Sequence, residues 1–408
     1  MCCVARWAVA DATDEEENWV RIKGTTRAIA LVTVLATVLV ACGDDDDDTG
    51  TGGDTDETTT TAADGGDDGG EAEGAALTLD EECQAAKDDG VEAPEGFRVN
   101  LVTDIGRIDD GTFNQFAYEG MTAAEECFGF ETSFIETVSE ADYSTNISTS
   151  LSENPNVLIT NGFLLATDTL AAAEANPDVD FIGIDQFQEE APENYVFVQF
   201  REDQAGYLAG VMAASLSESG VIGVVGGRED VPPVVRLVNA YETGAQSVNP
   251  DIRVLKVYNE SFTTPDKGAS DAAQFIGEGA DVIFGAGGQT GSGGVSAATE
   301  QGLWGIGVDQ DEYFTTFNGG DAPGSEFLAT SAIKRVDLAV FRNIVASMTD
   351  EFEGGMYTLE AANDGITYAP FHDADIPDDV ADLLEETRQG LADGDIDTGV
   401  DPVTGLPL

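Results

Sequence analysis

From residue 98 onward, short apolar runs alternate with amphipathic stretches. Residues 98–103 form a β-branched run ending in Asp104, and 113–128 repeat apolar residues at the helical period. Residues 133–136 and 157–160 read as strands, the second followed by Asn161-Gly162-Phe163. A helix over 167–175 closes at Asn176-Pro177, a strand over 181–184 ends in Asp185, and 195–200 is strand-like. An Ala-rich helix over 203–217 follows, and then the pattern begins again. Strands are expected at 221–225, 252–257, 282–284 and 305–308, with helices reaching Ser247 and over 267–278 and 294–301. Strands alternating with helices argue for parallel βαβ units, and short continuous apolar runs suit strands covered on both faces. The repetition predicts an α/β protein of two similar three-layer lobes. Several strands finish in Asp, Asn or Gly at the carboxyl end, where open α/β sheets bind ligands.

The first 96 residues have a different texture. Arg21, Lys23 and Arg27 precede an apolar stretch over 28–41, which is short for a permanent membrane helix. Leu39-Val40-Ala41-Cys42 matches the bacterial lipobox, whose cysteine becomes the lipidated first residue of the mature chain. Residues 1–41 are therefore expected to be a signal region and 42–82 a lipidated cysteine with a disordered acidic stalk. The competing reading is an ordinary transmembrane anchor. Asp11, Asp14 and Glu15 to Glu17 are foreign to a signal's basic start, so 1–19 are expected to be a mis-assigned start or to be removed with the signal.

Removing signal and stalk leaves roughly 330 residues, enough for two lobes of ordinary domain size. The net charge of −62 argues against nucleic acid as a partner, because phosphate neutralisation needs basic clusters. A single histidine, His372, excludes metal sites built from several histidines. No G-x-S-x-G accompanies it, so a serine hydrolase is disfavoured. Cys83 and Cys127 could pair in an exported protein or remain two free thiols, and spacing alone leaves both open.

Five segments carry candidate chemistry. They are Val102-Thr103-Asp104 with Asp109 to Gln115; Val225-Gly226-Gly227; Gly287 to Gly291; Ile306-Gly307-Val308-Asp309; and Thr330 to Asp337. In order and spacing, from about Arg98 to Gly394, the chain resembles the basic membrane protein (BMP) family of bacterial lipoproteins, substrate-binding proteins of ABC importers. The resemblance implies a type I periplasmic-binding-protein-like fold, two αβα lobes joined by a hinge. The lobes are expected to comprise 97–199 plus 329–352 and 200–328 plus 353–378, with 379–408 a C-terminal helix and tail. It further implies a monomer, lipid-anchored on the extracytoplasmic face of the cell membrane, that delivers a nucleoside, in particular a purine nucleoside, to an ABC permease. No catalysis, cofactor or metal is expected.

By the same resemblance, Phe113 and Phe262 are the rings that stack on the base, Asp309 accepts from ribose hydroxyls, and Lys334 reaches the ribose side, placed to pair with Asp309. Asp104 and Asn114 suit the polar edge of the base, since a carboxylate accepts from N–H groups and an amide both donates and accepts. Asp185 ends a strand that can line the same cleft. Each has a plainer alternative: a ring packed in its own lobe, an aspartate capping a helix, a solvated lysine. Asp109 fits the capping role ahead of Phe113. Gly287, Gly288 and Gly291 lack the Gly-Lys-Ser/Thr of a phosphate loop and read as a tight strand-to-helix turn. Its small residues would admit a ligand to backbone amides, Gly288 among them. The chain departs from the family pattern at Leu237, where a Phe is usual, and at Arg228-Glu229-Asp230. A sugar or another small polar metabolite fits the same architecture. A hydrolase would need a metal cage or a poised acid–base pair that these residues do not clearly supply.

Overall fold

The computed structural model describes residues 78–408; the signal region, Cys42 and the stalk up to residue 77 lie outside the described residues. Residues 79–82, expected to end the stalk, instead open helix α1 (Leu79–Asp88), whose start is fixed by a capping box between Thr78 and Glu81. The first lobe continues with β1 (Arg98–Ile105), α2 (Phe113–Phe128), β2 (Glu131–Thr137), α3 (Tyr143–Leu151), β3 (Val157–Asn161), α4 (Ala166–Ala175), β4 (Asp180–Ile184) and β5 (Tyr195–Phe200). The second lobe holds α5 (Glu202–Leu216), β6 (Val221–Gly226), α6 (Pro232–Val248), β7 (Arg253–Tyr258), α7 (Pro265–Gly277), β8 (Val282–Ala286), α8 (Gly288–Thr299), β9 (Trp304–Asp309) and β10 (Leu328–Lys334). The chain then returns for α9 (Val336–Met348) and β11 (Gly355–Leu359), and ends with β12 (Ile366–Tyr368) and α10 (Asp378–Ala392).

The two six-stranded sheets run β11-β5-β4-β3-β1-β2 and β12-β10-β9-β8-β6-β7. All pairings are parallel except β10 with β12. The central strands β3 and β8 are buried along their whole length. That is why their residues are apolar without alternation: helices cover both faces. The expected boundaries between lobes need correction at their second and third segments. β10 hydrogen-bonds to β9 in the second sheet, so the crossing falls at Arg335 rather than at residue 329. β11 hydrogen-bonds to β5 in the first sheet, so the final crossing falls after Leu359 rather than at residue 353. Each strand completes its ladder before the chain leaves the sheet, because an unpaired strand would bury unsatisfied amides.

Two of the crossings are built alike. Arg201 forks onto Asp203 at 2.8 Å, and Arg335 onto Asp337 at 2.9 and 3.0 Å, each arginine standing just ahead of its helix. Helix α5 is buried all round, which its alanines and glycines permit. It meets α6 so closely that a Cβ on Gly206, Gly210 or Gly244 would strike the facing backbone. Cys83 and Cys127 form a disulfide joining α1 to α2, which decides the question the sequence left open. Residues 393–408 lie along α6, where Thr243 and Asn239 donate to the carbonyls of Thr398 and Gly405 at 2.6 and 2.7 Å.

Candidate functional site

The carboxyl ends of both sheets face one another across a cleft. A cavity there has about 670 Å³ of space between atoms, part of it open to solvent, a size in the range of small-molecule sites. All eight residues expected to meet a ligand, Asp104, Phe113, Asn114, Asp185, Phe262, Gly288, Asp309 and Lys334, line this one cavity. Phe113, Asn114, Asp104 and Asp185 come from the first lobe, and Phe262, Gly288, Asp309 and Lys334 from the second.

Asp104 ends β1. Its carboxylate accepts from the hydroxyl of Tyr143 and from the amide of Ile105. Burial pushes its pKa up to about 6, against those two hydrogen bonds. Gly162, at φ 119°, lies so close that any side chain there would collide with this carboxylate. Asn114 is more committed to the protein than expected. Its carbonyl oxygen accepts from the amide of Asp104 at 3.1 Å and from Asn161 at 3.0 Å, and its amide donates to Asp110 at 3.0 Å. One N–H remains for a ligand. The cap expected of Asp109 is supplied by Asp110, which accepts from the amides of Thr112, Asn114 and Gln115 at 2.9–3.2 Å. Asp109 instead pairs with Arg107 in solvent.

Phe113 starts α2, and the Lys334 ammonium lies 4.7 Å from its ring centre. Phe262 follows β7, with its ring against Gly227, where a Cβ would collide with it. Thr290 of α8 holds that loop: its amide donates to the Phe262 carbonyl at 3.0 Å and its hydroxyl to the Ser261 carbonyl at 2.8 Å. The glycine segment is therefore more helical than expected. α8 begins at Gly288, in the left-handed region at φ 55°, rather than at residue 294.

Asp185 and Asp309 occupy equivalent places at the ends of β4 and β9, both on left-handed backbone at φ 60° and 69°. Such backbone is strained for a non-glycine residue and turns the carboxylate into the cleft. Burial raises Asp185 to about 6 and Asp309 to about 7, with Lys334 opposing in each case. A direct bond from Lys334 to Asp309 was expected. Its ammonium instead bonds Asp185 at 2.7 Å and Glu202 at 3.4 Å. Among the described residues the Asp309 carboxylate accepts no hydrogen bond from the protein.

Sequence reasoning missed Asp110, the apolar wall of Val231, Pro233 and Val234, and, buried behind the cavity, Glu202. Leu237, the departure from the family pattern, reaches the cavity. Arg228 lies at the rim, pairing with Asp230 and, across the cleft, with Glu140. One signal was available: Ile182-Gly183-Ile184-Asp185-Gln186 returns as Ile306-Gly307-Val308-Asp309-Gln310, marking the paired aspartates as equivalent. His372 lies outside the cavity, stacked on Tyr313 and bonded to Asp311 at 2.7 Å. No group of three or more His, Cys, Asp or Glu among the described residues is placed to hold a metal ion.

Comparison with known proteins agrees with this geometry. The chain is 29% identical over 334 residues to a CD4+ T-cell-stimulating antigen of Listeria monocytogenes, covering 77% of this chain and 92% of that protein. It is 31% identical over 316 residues to the ABC transporter nucleoside-binding protein BmpA of Lactococcus lactis, covering 72% and 87%. A solved solute-binding protein of an ABC transporter system from Aeropyrum pernix shares the fold with a TM-score of 0.66 at 23% identity, over 74% of this chain and 92% of that one. Residues 97–383 match the Bmp family, and the chain belongs to that family of PnrA-like ABC transporter substrate-binding proteins.

Proposed function

We propose that the ligand is a nucleoside, in particular a purine nucleoside, bound between the lobes and delivered to an ABC permease by a protein anchored through a lipid on Cys42. The observation that carries the reading is the site's division of labour. Two phenyl rings, one from each lobe, line the same cavity as the Asp309 carboxylate, which is buried and accepts no hydrogen bond from the described residues. A flat base needs ring faces, each worth about 1–3 kcal/mol in stacking. Vicinal ribose hydroxyls need an acceptor with two free oxygens, and Asp309 is such a group. The Lactococcus relative carries nucleoside binding in its name, which supports the same class.

The test is calorimetry on Asp309→Ala with a nucleoside and its matching free base. Losing charge-assisted hydrogen bonds of about 1.5–3 kcal/mol each should weaken the nucleoside strongly and the base little. Equal losses would remove Asp309 from the ribose role. The anchor has its own test. Cys42→Ser should release the protein from membranes, since stable anchoring rests on the acyl chains.

A further inference from the structure

Behind the cavity, four buried side chains alternate in charge from the outer helices of the second lobe to the first lobe. The Arg236 guanidinium donates through Nε to Glu202 Oε2 at 2.6 Å and through Nη1 to the Val403 carbonyl at 2.9 Å. Glu202 Oε1 accepts from Lys334 Nζ at 3.4 Å, and the same ammonium reaches Asp185 Oδ2 at 2.7 Å. Glu202 is fully buried and forms no part of the cavity lining, so a ligand in the cavity does not touch it.

A lysine stem has four rotatable carbons, and this one ends among several carboxylates. With only the cavity acids present, the ammonium would be drawn toward Asp309 and Asp185 together. It bonds Asp185 and Glu202 instead, seated between the rings of Phe113 and Phe200 at 4.7 and 5.1 Å. We propose that Glu202, itself held by Arg236, is a positioning residue that draws Lys334 toward Asp185 and so leaves the Asp309 carboxylate open to ligand hydroxyls. The location suits that task. Glu202 is the first residue of α5 and Lys334 the last of β10, so their contact joins the two hinge segments just where the chain crosses between lobes. The outer end of the ladder rests on the C-terminal segment through Val403.

The role of Glu202 is separable from the nucleoside reading, which enters only through the choice of ligand. The ligand-independent test is a crystal structure of E202M/R236M, which removes both buried charges together and avoids stranding either one. Lys334 Nζ is expected to leave its present position and bond Asp309. An ammonium still on Asp185 and clear of Asp309 overturns the proposal. The second test is binding of inosine and hypoxanthine to E202Q, to K334M and to the combined variant, with E202M/R236M standing in if E202Q fails to fold. E202Q should weaken inosine by about tenfold or more and hypoxanthine by much less, because masking Asp309 costs a charge-assisted contact to the sugar. In the K334M background the same substitution should add nothing, since there is no ammonium left to misplace. A merely structural role would weaken both ligands alike and add fully to K334M, and either result overturns the proposal. If wild-type protein binds neither ligand, the nucleoside reading fails, and the position of Lys334 in the E202M/R236M structure alone decides the role of Glu202.

Discussion

At the residue scale, the site is defined by carboxylates kept from water. Asp309, raised to about 7 by burial against the pull of Lys334, is close to half-protonated at neutral pH. Ribose hydroxyls need its ionised form as acceptor, so a bound nucleoside should lower this pKa. Affinity is therefore expected to fall as pH drops below about 7, by up to tenfold per pH unit, and binding near that pH should release protons. Titration calorimetry in buffers of different ionisation enthalpy measures the release directly, and a buffer-independent enthalpy would contradict it. The same shift has the opposite consequence for folding. The native state holds this proton more tightly than the unfolded chain does, so in ligand-free protein Asp309 subtracts from stability as pH rises from about 4 toward 7. The chemistry of these residues was legible in the sequence, and their partners were not. Asn114 looked like a ligand contact and is largely an internal brace between β1, β3 and α2. Asp109 looked like the cap and is the neighbour of the cap, a one-residue difference that depends on how the loop turns at Gly111.

At the scale of elements, the second lobe depends on the close approach of α5 and α6. The backbone of Tyr207 stands where a Cβ on Gly244 would be placed, and neither helix can withdraw without opening the core. Gly244→Val is expected to destabilise the protein by about 3 kcal/mol or more, read from chemical denaturation. Gly277, at the end of α7, has open space in the same direction, and Gly277→Ala should leave stability unchanged or raise it by about 0.5–1 kcal/mol. Two glycines in helices thus answer oppositely to a larger side chain, which composition alone could not tell. Most strands were visible as apolar runs ending in polar residues. β10, β11 and β12 were not: β10 mixes Thr, Ser and Lys into its apolar run, and β11 and β12 are short sheet-edge strands with mixed sequences whose identity rests on what they pair with.

Over the whole molecule, the lobes are held together by a few contacts between their loops. Gln310 donates from the second lobe to the Thr112 carbonyl at 3.1 Å, just ahead of Phe113, and Thr315 donates to the Gly111 carbonyl at 2.8 Å. The ion pair of Arg228 with Glu140 closes the rim beside them. These bonds favour the closed arrangement without touching a ligand through the same atoms. Gln310→Ala is therefore expected to raise the open population of the ligand-free protein. Apparent affinity falls in proportion to the closed fraction that remains. Single-molecule distance measurements between labels on the two lobes would reveal the shift, and an unchanged distribution would show that the contact only follows closure. Three strands of chain pass between the lobes, at Arg201, Arg335 and Glu360, so the motion available is a hinge rather than a free separation.

The sequence by itself determined the α/β class, the doubling into two lobes, the strand ends that face the cleft and the eight side chains that gather there. The first three follow from local periodicity and from residue chemistry at strand ends, and the choice of the eight rested largely on the resemblance to the BMP family, whose motifs the chain carries in order. Only the tertiary structure decided which sheet received β10 and β11, whether Cys83 met Cys127, and which carboxylate claimed the single cavity lysine. Those outcomes depend on groups far apart in sequence, such as Asp185, Glu202 and Lys334, competing for one another at distances of a few ångströms. No window along the chain contains all the competitors, so the result exists only once the lobes have packed.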